Sequence, residues 1–346
     1  MIQKKYTGEF NQVVIIVLFC FIFSRIVSTY YFNLNISNIS YGYHLLDKDL
    51  LNSDLLQSLF YLHSQPYLWN LFNGVVLKIF SGSETDIRFF FTFYHYFLSI
   101  LSILIFFKIL QILKFSKKHS LIILIFLSIN PTMIFYEKIF SYAHTSFFIF
   151  NCLVYSIFKF FNSNKKDFYE IGIYFSLFLI GNLWLLFQPL LLLPISYAVI
   201  RFFKKNNYKV FSYFLIFFIL SIAPAVKNKI VFNEFVISSK SGHDIKDVFI
   251  NWQSYCDHPV IHIKKYQKIY EKKNNIYFTH PSLIGEKSKF NNVGMISYSQ
   301  NCRKITISRI IDEPKLYLKH RVRAFLASHG KFGFDYMHPV PEGWEN

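Results

Sequence analysis

Charge is scarce in this chain of 346 residues: Asp, Glu, Lys and Arg make up 16%, where soluble domains carry roughly 25%. That shortage argues against an ordinary cytosolic enzyme. Four cysteines are too few for a disulfide-built scaffold, and the 53% hydrophobic content excludes disorder. Glycine (12) and tryptophan (4) are sparse beside 43 Phe and 24 Tyr, which looks partly like an AT-rich coding bias. The sequence has no Gly-rich phosphate loop, no CxxC pair, no HExxH and no GxSxG. Those absences argue against an ATP-driven pump, a common zinc site and a serine hydrolase.

What is present is apolar length. A bilayer span needs about 20 predominantly apolar residues. Candidate spans run over 12–32, 89–112, 120–136, 144–162, 168–185, 187–203 and 210–226. The first is too long for a cleaved signal peptide and reads as an anchor. The formal charge of +17 invites a nucleic-acid reading, but the basic residues sit in short loops between apolar runs, so no nucleic acid is expected as a partner.

The stretch 66–82 decides the topology. If it does not cross, and the N-terminus is cytoplasmic, the inside loops hold 11 basic residues: Lys4, Lys5, Lys114, Lys117, Lys118, Lys165, Lys166, Arg201, Lys204, Lys205 and Lys209. The short outside segments then hold four: Lys48, Lys78, Arg88 and Lys138. If it crosses, nine of the eleven move outside, against the positive-inside rule. The expected fold is therefore mainly α, a polytopic bundle of about seven crossings. Residues 66–82 would form a helix on the outer surface with its start at Pro66.

Two regions follow: 1–228, a transmembrane domain with a first outer loop at 33–88, and 229–346, an extracytoplasmic tail. The tail has strand-like runs (230–237, 304–311) and a helix near 312–327, which predicts a small α+β segment. Cys256 and Cys302 lie there and would pair in an oxidising compartment. Cys20 and Cys152 read as packing residues inside spans. Asn35-Ile-Ser37 and Asn38-Ile-Ser40 match the glycosylation sequon, an easy match in an Asn-rich chain.

The outer loop gathers the ionisable candidates. Asp47, Asp49 and Asp54, flanked by aromatic residues, are general-base candidates, or else residues that cap helices and keep a loop wet. Glu137 follows a span ending in Asn130-Pro131; it is either a second site acid or half of a solvated pair with Lys138. His63 and Gln65 precede Pro66, and His63 reads first as a hydrogen-bonded structural histidine and second as a ligand. His44, His95 and His144 read still more plainly as structural histidines. Arg25, inside the first span, must face a cavity or snorkel outward.

The order of these features resembles the polytopic glycosyltransferases of the C-type fold. These include the protein O-mannosyltransferase and aminoarabinose transferase groups and bacterial dolichyl-phosphate-mannose mannosyltransferase-like relatives. The residues that carry the resemblance are Leu45-Leu46-Asp47, Tyr61 to Leu68, Leu77 to Gly82, Asn130-Pro131 through Glu137, and Ala223-Pro224 through Gly242. Tyr67 stands where those families have the second proline of a pair, and their adjacent Asp-Glu pair is missing here.

The resemblance implies transfer of a sugar from a polyprenyl-phosphate carrier to a saccharide, lipid or protein acceptor, on the outer face of a bacterial plasma membrane. Asp47 would be the base and Asp49 the second choice. Glu137 would orient the acceptor or hold a divalent metal, Mg or Mn. Arg25, Lys138 and Lys227 would hold the lipid phosphate, while His63 and Gln65 would bind sugar hydroxyls or phosphate. Two other readings compete: a transporter or flippase for a lipid-linked saccharide, which needs ionisable residues deep in several spans, and a non-catalytic, truncated membrane scaffold.

Overall fold

A computed structural model of the chain describes residues 2–31, 45–163, 166–183, 189–203, 207–241 and 259–330. The helices are α1 (Ile2–Tyr31), α2 (Lys48–Ser53), α3 (Leu55–Phe60), α4 (Tyr67–Ile79), α5 (Glu84–Ile112), α6 (Lys117–Ser128) and α7 (Pro131–Lys138). They continue with α8 (Ala143–Asn162), α9 (Lys166–Leu183), α10 (Pro189–Phe203), α11 (Asn207–Phe232), α12 (Pro259–Asn274), α13 (Gly294–Asp312) and α14 (Pro314–Gly330). The chain divides into two compact units, Met1–Ser238 with Thr279–Asn291, and Ser239–Phe278 with Asn292–Asn346. A short stretch of the tail thus packs with the first unit.

Each of the seven apolar stretches is largely helical, but not all qualify as spans. Among the described residues four helices are long and apolar enough to cross a membrane: Gln12–Tyr31, Glu84–Ile112, Ala143–Asn162 and Tyr208–Phe232. A fifth arises if α6 and α7, bent by 43° at their break, count as one. Seven crossings do not follow. Helix α9 carries Lys166, Asp167 and Glu170 within 18 residues, and α10 has 15 residues, about 22 Å against the roughly 30 Å of bilayer hydrocarbon.

Local chemistry sets the boundaries. Ser83 and Ser116 cap α5 and α6 by accepting from the amides of Asp86 and His119. Glu84 and Asp86 sit in the first turn of α5, where the helix dipole favours them. Asn130 accepts from the amides of Thr132 and Met133, and Pro131 takes the first position of α7, where a missing N–H costs nothing. The same Asn-Pro pair cannot continue α6, which is why the span breaks there.

Helix α4 has 13 residues, too short to cross, and buries Trp69, Asn70, Asn73, Val76 and Leu77. Pro66 is its N-cap residue rather than its first helical one. Trp69, Leu46, Leu51, Leu77, Phe91, Phe140 and Ile180 form one core, so the segment after α1 folds onto α5, α8 and α9. A second core joins α1, α5 and α6 through Val17, Phe21, Ile103, Phe107 and Leu124. A third joins α8 to α11 through Leu153, Tyr174, Leu193 and Val210. Phe19, Phe89, Phe93 and Phe126 stand at least two-thirds exposed, as side chains solvated by lipid would.

In the second unit, Tyr266, Met295, Tyr298 and Cys302 pack α12 against α13. A Cβ at Gly294 would meet the Ile263 carbonyl oxygen at 2.4 Å, so only glycine permits that approach. The expected α+β tail is not found: the described residues contain no strand. Residues 304–311 lie within α13, where Tyr298, Cys302 and Thr306 are buried at every fourth position, a helical period that overrides the β-branched run. Residues 230–237 split at Asn233, whose φ of 60° ends α11 in the left-handed region that asparagine tolerates. Cys302 is in a disulfide, Cys20 and Cys152 are free thiols, and Cys256 lies outside the described residues, as do both sequons and His44.

Candidate functional site

The first of the predicted residues to meet are Arg25 and Glu137. Arg25 on α1 forks onto Glu137 on α7, Nε to Oε2 at 2.9 Å and Nη2 to Oε1 at 2.5 Å. Both side chains are buried, at 4% and 0% exposure. The third guanidinium nitrogen donates to Ser24 Oγ at 2.9 Å and to the carbonyl of Ser128, the last residue of α6. That carbonyl is one of the acceptors a helix end leaves without an intrahelical partner. Arg25 therefore joins both halves of the broken span, with its guanidinium 3.8 Å above the Phe21 ring.

Glu137 is further enclosed. Ser99 Oγ donates to Oε1 at 2.5 Å, and His144 Nε2 lies 3.0 Å from Ser99 Oγ and 3.2 Å from the His95 carbonyl. A carbonyl only accepts, so that nitrogen carries the proton. His95 Nδ1 likewise donates to the Glu137 carbonyl at 2.8 Å, and its buried Nε2 has no hydrogen-bond partner among the described residues. Both carboxylate oxygens of Glu137 are thus engaged by protein donors. Among the described residues no group of three His, Cys, Asp or Glu is placed to hold one, so the expected Mg or Mn finds no ligand set there.

Lys138, next in the chain, points to a groove. Its Nζ donates to Tyr96 OH at 2.7 Å and Thr29 Oγ1 at 3.2 Å, and stands 5.0 Å from the Tyr96 ring centre. The residue is 6% exposed and has no carboxylate partner among the described residues. The groove, of about 640 Å³, runs between α1 and α5 and is walled by Phe21, Ile22, Ile26, Tyr30 and Phe89. Arg25, Lys138 and Arg88 supply its cations, and Thr29, Thr92 and Tyr96 its hydroxyls. Arg88 pairs with Glu84 across one helical turn at 3.1 Å on the exposed rim.

Asp47 caps α2. Its Oδ1 accepts from the amides of Asp49 at 3.1 Å and Leu50 at 3.4 Å, and no hydrogen bond among the described residues reaches its Oδ2. The backbone beneath is fixed: Leu45 and Leu46 are buried, and the Leu46 amide donates to Asn70 Oδ1 at 2.7 Å. Asp49 is exposed and pairs with Lys287 at 3.6 Å. Asp54 faces His280 Nε2 at 3.6 Å. The carboxylates of the loop do not cluster with Glu137.

His63 has the structural role that was the plainer alternative. Its amide donates to Asn291 Oδ1 and its Nε2 to the Asn291 carbonyl, each at 2.9 Å. Asn291 also receives the Ser64 amide and hydroxyl, and donates to the carbonyls of Tyr61 and Ser282. Burial, then the Lys227 charge, push the His63 pKa down to about 3, with the Asn291 hydrogen bond opposing. Gln65 is buried, and its Nε2 has no hydrogen-bond partner among the described residues. Lys227 donates to the Leu62 carbonyl and does not line the groove that Arg25 and Lys138 share.

The predicted phosphate set thus divides in two, and Glu137 serves Arg25 rather than standing free. Sequence reasoning missed Ser99, Arg88 and Asn291, while His95 and His144 are the hydrogen-bonded structural histidines it expected. Of the three only Arg88 carried a signal, a cation one turn into a capped helix. No family model, no curated protein and no solved structure matches this chain.

Proposed function

We propose that this protein is an integral-membrane glycosyltransferase that moves a sugar from a polyprenyl-phosphate carrier to an acceptor at the outer face of the membrane. The observation that carries the reading is Lys138. A lysine almost fully withdrawn from solvent, bonded only to two hydroxyls and lining a groove with apolar walls, is suited to a phosphate on a hydrocarbon chain. Arg88 at the rim adds a second cation, and Arg25, held flat by Glu137, a third.

In this reading Asp47 takes the proton of the acceptor hydroxyl through Oδ2. The oxygen so freed attacks the anomeric carbon of the donor sugar, the bond from that carbon to the carrier phosphate breaks, and the phosphate keeps the electron pair. The anomeric carbon inverts. Lys138 and Arg88 hold the charge gained by the departing phosphate. The topology that goes with it has an odd number of crossings, a cytoplasmic N-terminus and an extracytoplasmic tail in a bacterial plasma membrane.

A second reading, a transporter for a lipid-linked saccharide, draws on the buried chain Arg25–Glu137–Ser99–His144, because ionisable side chains deep in spans mark transport paths. Purified protein reconstituted with a polyprenyl-phosphate sugar separates the two. Transfer to an acceptor, with carrier affinity lowered about tenfold or more in Lys138→Met and retained in Lys138→Arg, supports the enzyme. Movement of the intact lipid-linked sugar without transfer supports the transporter. Neither activity leaves the scaffold reading. Cysteine labelling at 47 and 84, but not 116, from outside supports the orientation; labelling at 116 overturns it.

A further inference from the structure

A second groove, of about 410 Å³, lies on α11 and is closed by Phe60 of α3. Its walls are Ile219, Ile222, Ala223, Val226 and Ile230, and its one charged residue is Lys227. Two features of the sequence make it. Ala223 and Pro224 put little side chain in the middle of an otherwise bulky helix, and Phe60 stands about half exposed across from them. The groove is set in an apolar span, where lipid is the solvent.

The cation in its wall fixes the kind of lipid. Lys227 Nζ donates to the Leu62 carbonyl and stands 5.9 Å from the Phe232 ring centre. No carboxylate pairs with it among the described residues, so two of its three protons are available to an anion. We propose that this groove is an anionic-phospholipid site, separate from the Arg25–Lys138 groove, in which one acyl chain lies along Ile219–Ile230 and the lipid phosphate meets Lys227. Its occupant touches α11 and α3 together, and Lys227 ties α11 to the chain just before His63. Bound lipid therefore braces the segment carrying α2 and α3 against the span. The inference stands whether or not the protein transfers sugars.

Native mass spectrometry of the full-length protein in detergent tests it, with phosphatidylglycerol and phosphatidylcholine of identical acyl chains as probes. The expected result is about fivefold more phosphatidylglycerol than phosphatidylcholine retained, the contribution of roughly one basic residue at an anionic headgroup. Both Lys227→Gln and Ala223→Trp should bring it to the phosphatidylcholine level, each variant first shown to be monodisperse by gel filtration. Lys138→Met, run alongside, subtracts any lipid held in the other groove. Equal retention of the two lipids overturns the proposal, as does loss in only one of the two groove variants. Polyprenyl phosphate displacing phosphatidylglycerol from both the wild type and Lys138→Met overturns it too, and moves the carrier here.

Discussion

Arg25 and Glu137 are 112 positions apart and meet as a two-point fork, Nε on Oε2 and Nη2 on Oε1, with almost no water on either side chain. The pair anchors α1 to the second half of a broken span, and Arg25 at the same time donates to the carbonyl that ends the first half. Buried ion pairs are weak sources of net stability but costly to break from one side.

Removing one partner should therefore cost about 3–5 kcal/mol: Arg25→Met or Glu137→Met each lowers the unfolding midpoint in detergent. The double variant should recover most of that loss, because no uncompensated charge remains. Additive losses in the double variant would refute the pairing as the source of the cost.

Asp47 separates a cap from a base. Asparagine caps as well as aspartate, so Asp47→Asn should leave stability unchanged, whereas Asp47→Ala should lose about 1 kcal/mol. If Asp47 is the general base, transfer falls by about 10²–10⁴ in both variants. Full activity in Asp47→Asn would make the residue a cap and nothing more.

His63 should make stability fall as the medium is acidified. The unfolded chain binds a proton on this residue below pH 6.5, and the native state does not until about pH 3. Protons therefore favour unfolding throughout that window, with a slope on the order of 1.4 kcal/mol per pH unit. His63→Gln, which keeps a donor toward the Asn291 carbonyl, should flatten the slope in denaturation curves recorded from pH 7 to pH 4. An unchanged slope would assign the acid sensitivity elsewhere.

Asn291 is the clasp for the chain before α4, accepting at Oδ1 from His63 and Ser64 and donating to the carbonyls of Tyr61 and Ser282. Asn291→Ala leaves several buried groups unpaired and should destabilise by at least about 2 kcal/mol. Asn291→Asp keeps the acceptor and loses the donors, so protease sensitivity at 61–64 should rise in it as well. Equal stability of all three proteins would show that the clasp contributes nothing.

Much of the helical frame was legible in the residues. Asp47 read as a helix cap or a base, and Asn130-Pro131 as the end of a span. Pro66 marked the head of a helix that the charge balance kept from crossing. The strand-like runs misled because β-branched residues report a preference that packing overrides: Thr306 belongs to a helix since Tyr298 and Cys302 bury the same face. The seven-span count misled because apolar content does not register that α9 carries three charges and that α10 is short.

The candidate site was half legible. Lys138 and Arg25 were named for a lipid phosphate and do line one groove, but Lys227 lies on another. Glu137, named as a site acid, is the counter-ion of Arg25. His95 and His144, expected as structural histidines, are that, and the groups they bond surround Glu137.

By itself the sequence determined what is local: which stretches are apolar enough to leave water, where serine and asparagine start a helix, where proline ends one, and that Arg25 needed company. Tertiary structure decided who that company was. A buried charge is tolerable only beside its complement, and the complement is chosen by distance in space, which spacing along the chain does not encode. The same reason sets Lys138 apart. Its groove lies where α1 and α5 meet along Phe21 and Tyr96, and among the described residues no carboxylate lines it.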